Sequence, residues 1–226
     1  MGTESLQARR QRAARVAKRL ARAYPEARCA LVHRDAFELL IATILSAQCT
    51  DEKVNEVTAL LFPRYPTARA LAAADPADVE AIVRPTGFYR QKAKSIQAAA
   101  QEIVARFGGE TPRALEDLVT LRGVARKTAN VVRGVAFGEP GLAIDTHMQR
   151  VNRRLGLVRG ADPDAIEQEL AALLPECEWT AYTLRTIHHG RVCCAAAKPR
   201  CEACPLAEEC PSAGKALAPA RPKGKR

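Results

Sequence analysis

Apolar residues recur at helical spacing along most of the chain. Residues 6–23 form an arginine-rich amphipathic segment, and residues 37–45 are apolar on nearly all sides, as expected of a buried central helix. Runs of alternating β-branched residues, which would indicate strands, are nearly absent. The pattern therefore predicts an all-α protein with about ten helices, most of them short.

Proline and glycine positions mark several helix ends. Asp75-Pro76 and Asp162-Pro163 each place an N-cap aspartate before a proline at the first helical position, and Thr111-Pro112 has a weaker form of this signal. Gly108-Gly109 is expected to end a helix that covers about residues 89–107. Short loops should therefore connect most of the helices.

The net charge of +10 is distributed unevenly. Residues 1–28 carry eight basic and two acidic residues, and residues 212–226 carry five basic and no acidic ones, which leaves 22 basic and 23 acidic residues at 29–211. Local clusters are therefore the better guide to nucleic-acid binding, because counterion release depends on the phosphates contacted. Two clusters free of acids contain Arg122, Arg126, Lys127 and Arg133, and Arg185, Arg191, Lys198 and Arg200. For either cluster alone, a solvated helix face is about as good an interpretation.

The chain ends bear on the cellular location. No apolar stretch is long enough to span a membrane, and the arginines at positions 9, 10, 12 and 15 are not followed by the apolar region of a secretory signal. We therefore expect a cytoplasmic protein with no membrane partner. Residues 212–226 are rich in alanine, proline, glycine and lysine and are expected to be a disordered basic tail.

Residues 121–130 (LRGVARKTAN) combine a glycine turn with a lysine. A glycine turn that opens a helix presents backbone N–H groups and the positive end of the helix dipole, which suits a phosphate. Lys127 is then either a phosphate-binding cation or a nucleophile, since lysine forms Schiff bases with carbonyl carbons. Arg122, Arg126 and the dipole favour the neutral amine that a nucleophile requires.

Four of the eight cysteines follow the spacing Cys194-x6-Cys201-x2-Cys204-x5-Cys210. In an intracellular protein this density indicates metal binding rather than disulfides. The spacing alone favours a four-cysteine zinc site and an iron–sulfur cluster about equally. Cys193 directly precedes Cys194 and competes with it as a ligand.

Together these segments resemble the endonuclease III family of helix-hairpin-helix DNA glycosylases. The likeness runs from about residue 37 to residue 210 and includes Ser46-Ala47-Gln48, Gly87-Phe88-Tyr89 and His189-Gly190-Arg191. It implies two helical lobes with DNA in the cleft between them. Residues 29–139 would form a six-helix barrel containing the hairpin, and residues 1–28 plus 140–211 an iron–sulfur domain.

The resemblance implies a bifunctional DNA glycosylase and AP lyase of base excision repair. Lys127 would attack C1′ of a damaged pyrimidine nucleotide or an abasic site in duplex DNA, and β-elimination would cut 3′ to the lesion. Asp145 would stabilise positive charge on the sugar, although a helix cap is the alternative. One 4Fe-4S cluster is implied, and the His-Gly-Arg motif favours Cys194 over Cys193. Its ligands would be Cys194, Cys201, Cys204 and Cys210.

The family also implies which residues contact DNA. A base must leave the stack before Lys127 can reach C1′, so Gln48 would fill the gap and Phe88 would act as a wedge. Phe88 replaces the leucine common in the family, and without the motif it would be interpreted as a core aromatic. His147 matches the family motif and is equally well explained as a structural histidine. The further implied contacts are Arg122, Gly123, Ala125, Arg126, Thr128, His147, Arg191, Lys198 and Arg200.

Two residues depart from the family's hairpin motif, and two alternative functions have to be weighed. Arg122 and Ala125 replace the family's proline and second glycine, and Ala125 is disfavoured if its φ must be positive. A monofunctional mismatch glycosylase of the same fold is one alternative, against which Lys127 argues. A non-catalytic DNA-binding module is the other, against which Asp145 and Gln48 argue. A monomer is expected.

Overall fold

The computed structural model describes residues 4–214, and that part of the chain is helical with no β-strand. The first six α-helices are α1 (Leu6–Ala23), α2 (Ala36–Leu45), α3 (Asp51–Arg64), α4 (Ala68–Ala72), α5 (Pro76–Val83) and α6 (Tyr89–Phe107). They are followed by α7 (Leu115–Leu118), α8 (Arg126–Ala136), α9 (Thr146–Arg154), α10 (Pro163–Ala171) and α11 (Trp179–Val192). Short 3-10 helices cover Arg84–Thr86, Glu176–Glu178 and Ala207–Glu209.

The chain divides into two compact units. The continuous unit is Cys29–Gly141, and the discontinuous unit combines the residues before Cys29 with those from Leu142 onward. The continuous unit ends two residues beyond the boundary expected at residue 139. The first helix therefore shares a core with helices that are more than a hundred residues away in the sequence.

Helix α2 forms the centre of the continuous unit. Every residue from 37 to 45 is buried, and the helix packs against α3, α6 and α8. Asp35 caps its first turn by accepting a hydrogen bond from the Glu38 N–H at 2.9 Å. The expected central helix is thus confirmed, and its hydrophobicity on nearly all sides has a physical reason, because residues 37–45 are all buried.

The discontinuous unit is built on the apolar side of α1. Ala13, Val16 and Leu20 are buried in a core shared with α9, α10 and α11. Tyr182 of α11 is 1% exposed, and its hydroxyl donates a 2.5 Å hydrogen bond to Oδ1 of Asn152 in α9. The bond satisfies polar atoms that would otherwise be costly to bury.

Most of the expected helix ends are present. Asp75 and Asp162 are side-chain caps before Pro76 and Pro163, and the helix that ends before Gly108 covers Tyr89–Phe107. The signal at Thr111-Pro112 was wrong, because residues 111–114 are not helical and α7 begins at Leu115. Pro112 is buried in the packing there instead of starting a helix.

Two other expectations concern the surface and the tail. Within residues 4–214, no helix has both the length and the apolar character needed to cross a membrane. Residues 212–214 form part of a turn, and the rest of the predicted disordered tail lies outside the described residues.

Candidate active site and metal centre

Gln48 and Phe88 have an unusual backbone conformation. They are the two non-glycine residues with positive φ in the described part of the chain, at +53° and +48°. Such a conformation costs about 1–3 kcal/mol for a residue that carries a side chain, and it concentrates at functional sites. Phe88 is 67% exposed, so its interpretation as a core aromatic is wrong.

A cavity of about 320 Å³ lies between these two residues and the glycine turn in the continuous unit. We call it the hairpin pocket. Three segments that the sequence singled out separately, 46–48, 87–89 and 121–130, therefore meet at one place. The residues that line it are Ile44, Ala47, Gln48, Phe88, Gln91, Lys92, Ser95 and Gly123.

The glycine turn between α7 and α8 requires its glycine. Gly123 has a φ of +80°, and a Cβ atom there would lie 3.0 Å from Cβ of Ser95 on α6. Ala125 has an extended backbone with φ −87°, so its methyl group causes no strain. The backbone N–H of Arg122 donates to Oε2 of Glu102 at 3.1 Å and fixes the start of the turn. Neither departure from the family pattern therefore distorts the turn.

The start of α8 is suited to an anion. Alanine has no side-chain acceptor, so Ala125 gives this helix no side-chain cap. The first turn of an α-helix presents backbone N–H groups that can bind an anion. Lys127 is exposed in this first turn of α8. Thr128 is only 9% exposed, so its side chain is largely shielded from solvent, and the DNA contact expected of it stays a prediction.

Asp145 is the N-cap of α9 in the discontinuous unit. Its Oδ1 atom accepts a hydrogen bond from the Met148 N–H at 2.8 Å, which confirms the cap. Capping holds the carboxylate in one orientation and is compatible with a second role. Burial lowers the pKa of His147, whose Nδ1 lies 3.0 Å from the guanidinium of Arg150. These contacts support the structural interpretation of that histidine.

Two arginines of α9 donate hydrogen bonds to the chain segment around Cys194. Arg150 donates to the carbonyl oxygens of Cys194 at 3.1 Å and Gly190 at 2.8 Å. Arg154 contacts Sγ of Cys194 at 3.2 Å and donates to the Ala195 carbonyl at 2.7 Å. Neither arginine was expected from the sequence at this place, although two arginines four residues apart on the helix that follows Asp145 were a usable signal.

The expected cysteine ligands are close together. Cys194, Cys201, Cys204 and Cys210 line one cavity, and Cys193 lines it as well. The tightest donor group among the described residues is His189, Cys193 and Cys204, whose ligand atoms lie within 4.8 Å of one another. This group includes a histidine that the sequence analysis did not consider as a donor.

Burial opposes charge on three of the cysteines. It raises the pKa of Cys204 to about 12 and also raises the pKa of Cys193 and Cys210. A bound cation would compensate for thiolate charge in such a place, and its binding would release protons. The donor set therefore fits a thiolate-bound metal.

The basic residues near the cysteines differ in their surroundings. Arg191 and Lys198 are exposed. Arg200 is also exposed, but its guanidinium donates to the carbonyl oxygen of Val192. The side chain of Arg200 therefore supports the cysteine segment directly, and any contact with DNA would be additional.

Comparison with known proteins decides the family. The model of the HhH-GPD superfamily of base excision DNA repair proteins matches residues 41–176. Endonuclease III of Synechocystis sp. is 50% identical over 206 residues, which covers 91% of this chain and 94% of that protein. Endonuclease III of Bacillus subtilis is 45% identical over 188 residues, covering 83% and 86%. The chain belongs to the endonuclease III family.

Solved structures agree with this assignment. A non-covalent endonuclease III–DNA complex has a TM-score of 0.87 and 42% identity, covering 95% of this chain and 98% of that one. A trapped endonuclease III–DNA covalent intermediate also has a TM-score of 0.87 and 42% identity, covering 95% and 99%. A thermostable thymine-DNA glycosylase, at 0.82 and 20% identity over 91% and 98%, shares the fold. The all-α helix-hairpin-helix fold is confirmed, and family and cysteines together indicate a metal cofactor.

The glycine turn can be tested with a matched pair of variants. Gly123→Ala should weaken binding to duplex DNA by about tenfold, because the methyl group meets Ser95 and the φ is positive. Ala125→Gly should change binding by less than about twofold, because that residue is already unstrained. Fluorescence anisotropy titrations with a labelled duplex measure both. Equal affinities for the two variants would contradict this account of the turn.

Proposed function

We propose that Lys127 is the nucleophile of this endonuclease III family member and that Asp145 is its acidic partner. Members of the family are bifunctional base excision repair enzymes, and this chain is a DNA glycosylase and AP lyase. The observation that carries the proposal is the position of Lys127. It lies exposed in the uncapped first turn of α8, four residues beyond the glycine that lines the hairpin pocket.

The proposed substrate is duplex DNA that contains oxidised pyrimidines or abasic sites. Phosphate binding at the start of α8 would hold the strand, and Phe88 and Gln48 would occupy the gap left by the extruded base. An exposed aromatic ring and an exposed amide at one pocket suit these two tasks, since the ring can stack and the amide can pair with the orphaned base. We further propose a monomer that acts on the nucleoid in the cytoplasm.

The proposed reaction has two stages. The neutral amine of Lys127 attacks C1′, the glycosidic C–N bond breaks, and the base leaves with the bonding electrons and takes up a proton. Opening of the sugar ring gives a Schiff base. Loss of a C2′ proton then breaks the C3′–O bond by β-elimination, and water releases the lysine. The carboxylate of Asp145 would stabilise positive charge on the sugar while the first bond breaks.

Lys127→Gln should abolish both covalent trapping and strand cutting. Glutamine has no nucleophilic amine, so borohydride treatment with an abasic duplex should give no protein–DNA adduct. Arg126→Gln is the matched control, because it removes the neighbouring cation and keeps the amine. It should bind DNA more weakly but still form the adduct. If the Lys127→Gln protein nicked a thymine-glycol duplex at the parental rate, the proposal would be wrong.

Asp145→Asn should separate the cap from the chemistry. Asparagine is as good an N-cap as aspartate, so the thermal stability should change little, whereas Asp145→Ala should cost about 1 kcal/mol. Both variants lose the negative charge and should release damaged bases about a hundredfold more slowly. Thermal unfolding and single-turnover base release measure the two effects. Full activity of the Asp145→Asn protein would exclude the catalytic role and leave Asp145 as a helix cap only.

We infer that the metal cofactor is one 4Fe-4S cluster held by Cys194, Cys201, Cys204 and Cys210. What supports this is the thiol-rich donor set, together with the hydrogen bond that the guanidinium of Arg154 donates to Sγ of Cys194. The cluster would supply a structural clamp. Fixing both ends of the segment that carries Lys198 would lower the entropy cost of a phosphate contact.

Two neighbouring serine substitutions test the ligand assignment. Cys194→Ser should weaken or remove the broad visible absorption and brown colour of the purified protein, because a thiolate ligand is lost. Cys193→Ser should keep both. The opposite result would make Cys193 the ligand, and a colourless parental protein that contains zinc would exclude the cluster.

A further inference from the structure

The residues that precede α6 present Phe88 in a conformation that needs support. We call residues 84–88 the wedge loop. Gly87 has φ +69° and Phe88 has φ +48°, so two consecutive residues have positive φ. Phe88 is largely exposed, and its ring therefore contributes little packing to hold the loop. The support must come from elsewhere.

Lys92 supplies contacts on both sides of Gly87. Its ammonium Nζ donates a 2.7 Å hydrogen bond to the carbonyl oxygen of Thr86. Its backbone N–H donates to the carbonyl oxygen of Phe88 at 3.1 Å. One residue in the first turn of α6 thus binds the loop immediately before and immediately after the flexible glycine.

Lys92 is an unusual place for a positive charge. It is 5% exposed, and a lysine is seldom buried to this extent without an anionic partner. Its ammonium group donates to the backbone carbonyl oxygen of Thr86, and no carboxylate is recorded beside it within residues 4–214. Burial accordingly lowers the pKa of Lys92. A leucine or methionine would fill this space without that cost, and what the ammonium adds is the hydrogen bond to the Thr86 carbonyl oxygen of the loop.

We propose that Lys92 is a positioning residue that holds the wedge loop so that Phe88 is ready to enter the DNA stack. The inference rests on the proposed role of Phe88. A loop already in its working conformation does not have to be ordered while the base is extruded, so less binding energy is lost at that step. Lys92 should therefore matter for substrates that need base extrusion and not for those that do not.

Lys92→Met tests this with two substrates. The methionine keeps an apolar side chain of similar size and removes the hydrogen bond to Thr86. On a thymine-glycol duplex, kcat/KM should fall about tenfold or more. On a single-stranded oligonucleotide with an abasic site, where no base has to leave a stack, cleavage should stay within about twofold of the parental rate. Lys94→Met, which changes an exposed lysine of the same helix, should leave both rates within about twofold.

A double-mutant cycle with Phe88→Ala completes the test. Phe88→Ala should show the same loss on the duplex, and adding Lys92→Met to it should cause little further loss, because the loop then has no wedge to present. If Lys92→Met does not fold, Lys92→Gln replaces it in every arm. Equal losses on both substrates, an unchanged duplex rate, or additive losses in the double variant would each overturn the proposal.

The same assays keep this inference distinct from the proposed catalytic function. If Lys127→Gln still cut the single-stranded abasic substrate, the proposed nucleophile would be wrong whatever Lys92 does. If Phe88→Ala left the duplex rate unchanged, the wedge role and this inference would fail together, and the proposed lyase chemistry would stand.

Discussion

The complete burial of α2 organises the continuous unit. Because residues 37–45 are apolar apart from Glu38 and Thr43, the helix can be surrounded by α3, α6 and α8 without exposing hydrophobic surface. Its last turn brings Ile44 against the glycine turn, and the chain leaves it through Gln48. The hairpin pocket is therefore a direct consequence of core packing. A change in the tilt of α2 would move Gln48 and the glycine turn together.

The discontinuous unit solves a different problem, which is how to hold a cysteine segment with little secondary structure. Helix α9 does so from one side, through Arg150 and Arg154, and its N-cap is Asp145. Long guanidinium side chains suit this task because each can satisfy several carbonyl oxygens at once. The carboxylate proposed for catalysis and the supports of the metal centre therefore belong to one rigid element.

Strain and its compensation recur around the hairpin pocket. Gln48 and Phe88 adopt backbone conformations that side chains disfavour, and both are exposed where DNA contacts are proposed. The buried ammonium of Lys92 is a second unfavourable feature beside them, and it donates a hydrogen bond to Thr86 of the wedge loop that carries Phe88. The strained backbone at Phe88 and the buried ammonium of Lys92 are each unfavourable, and the hydrogen bond links the two. Such a combination is typical of a site selected for function rather than for stability.

Hydrophobic periodicity and residue type were enough for the all-α class, the buried central helix and the caps at Asp75 and Asp162, and the motifs along the chain carried the resemblance to the family. These features depend on neighbours in the chain, so the sequence carries them directly. Thr111-Pro112 misled because proline serves packing as readily as helix initiation. The left-handed conformation of Phe88, the harmless extended one of Ala125 and the burial of Lys92 were decided only by tertiary structure. None of the three follows from hydrophobic periodicity or residue type, because the burial and the backbone angles of a residue are set by the packing around it in the folded chain.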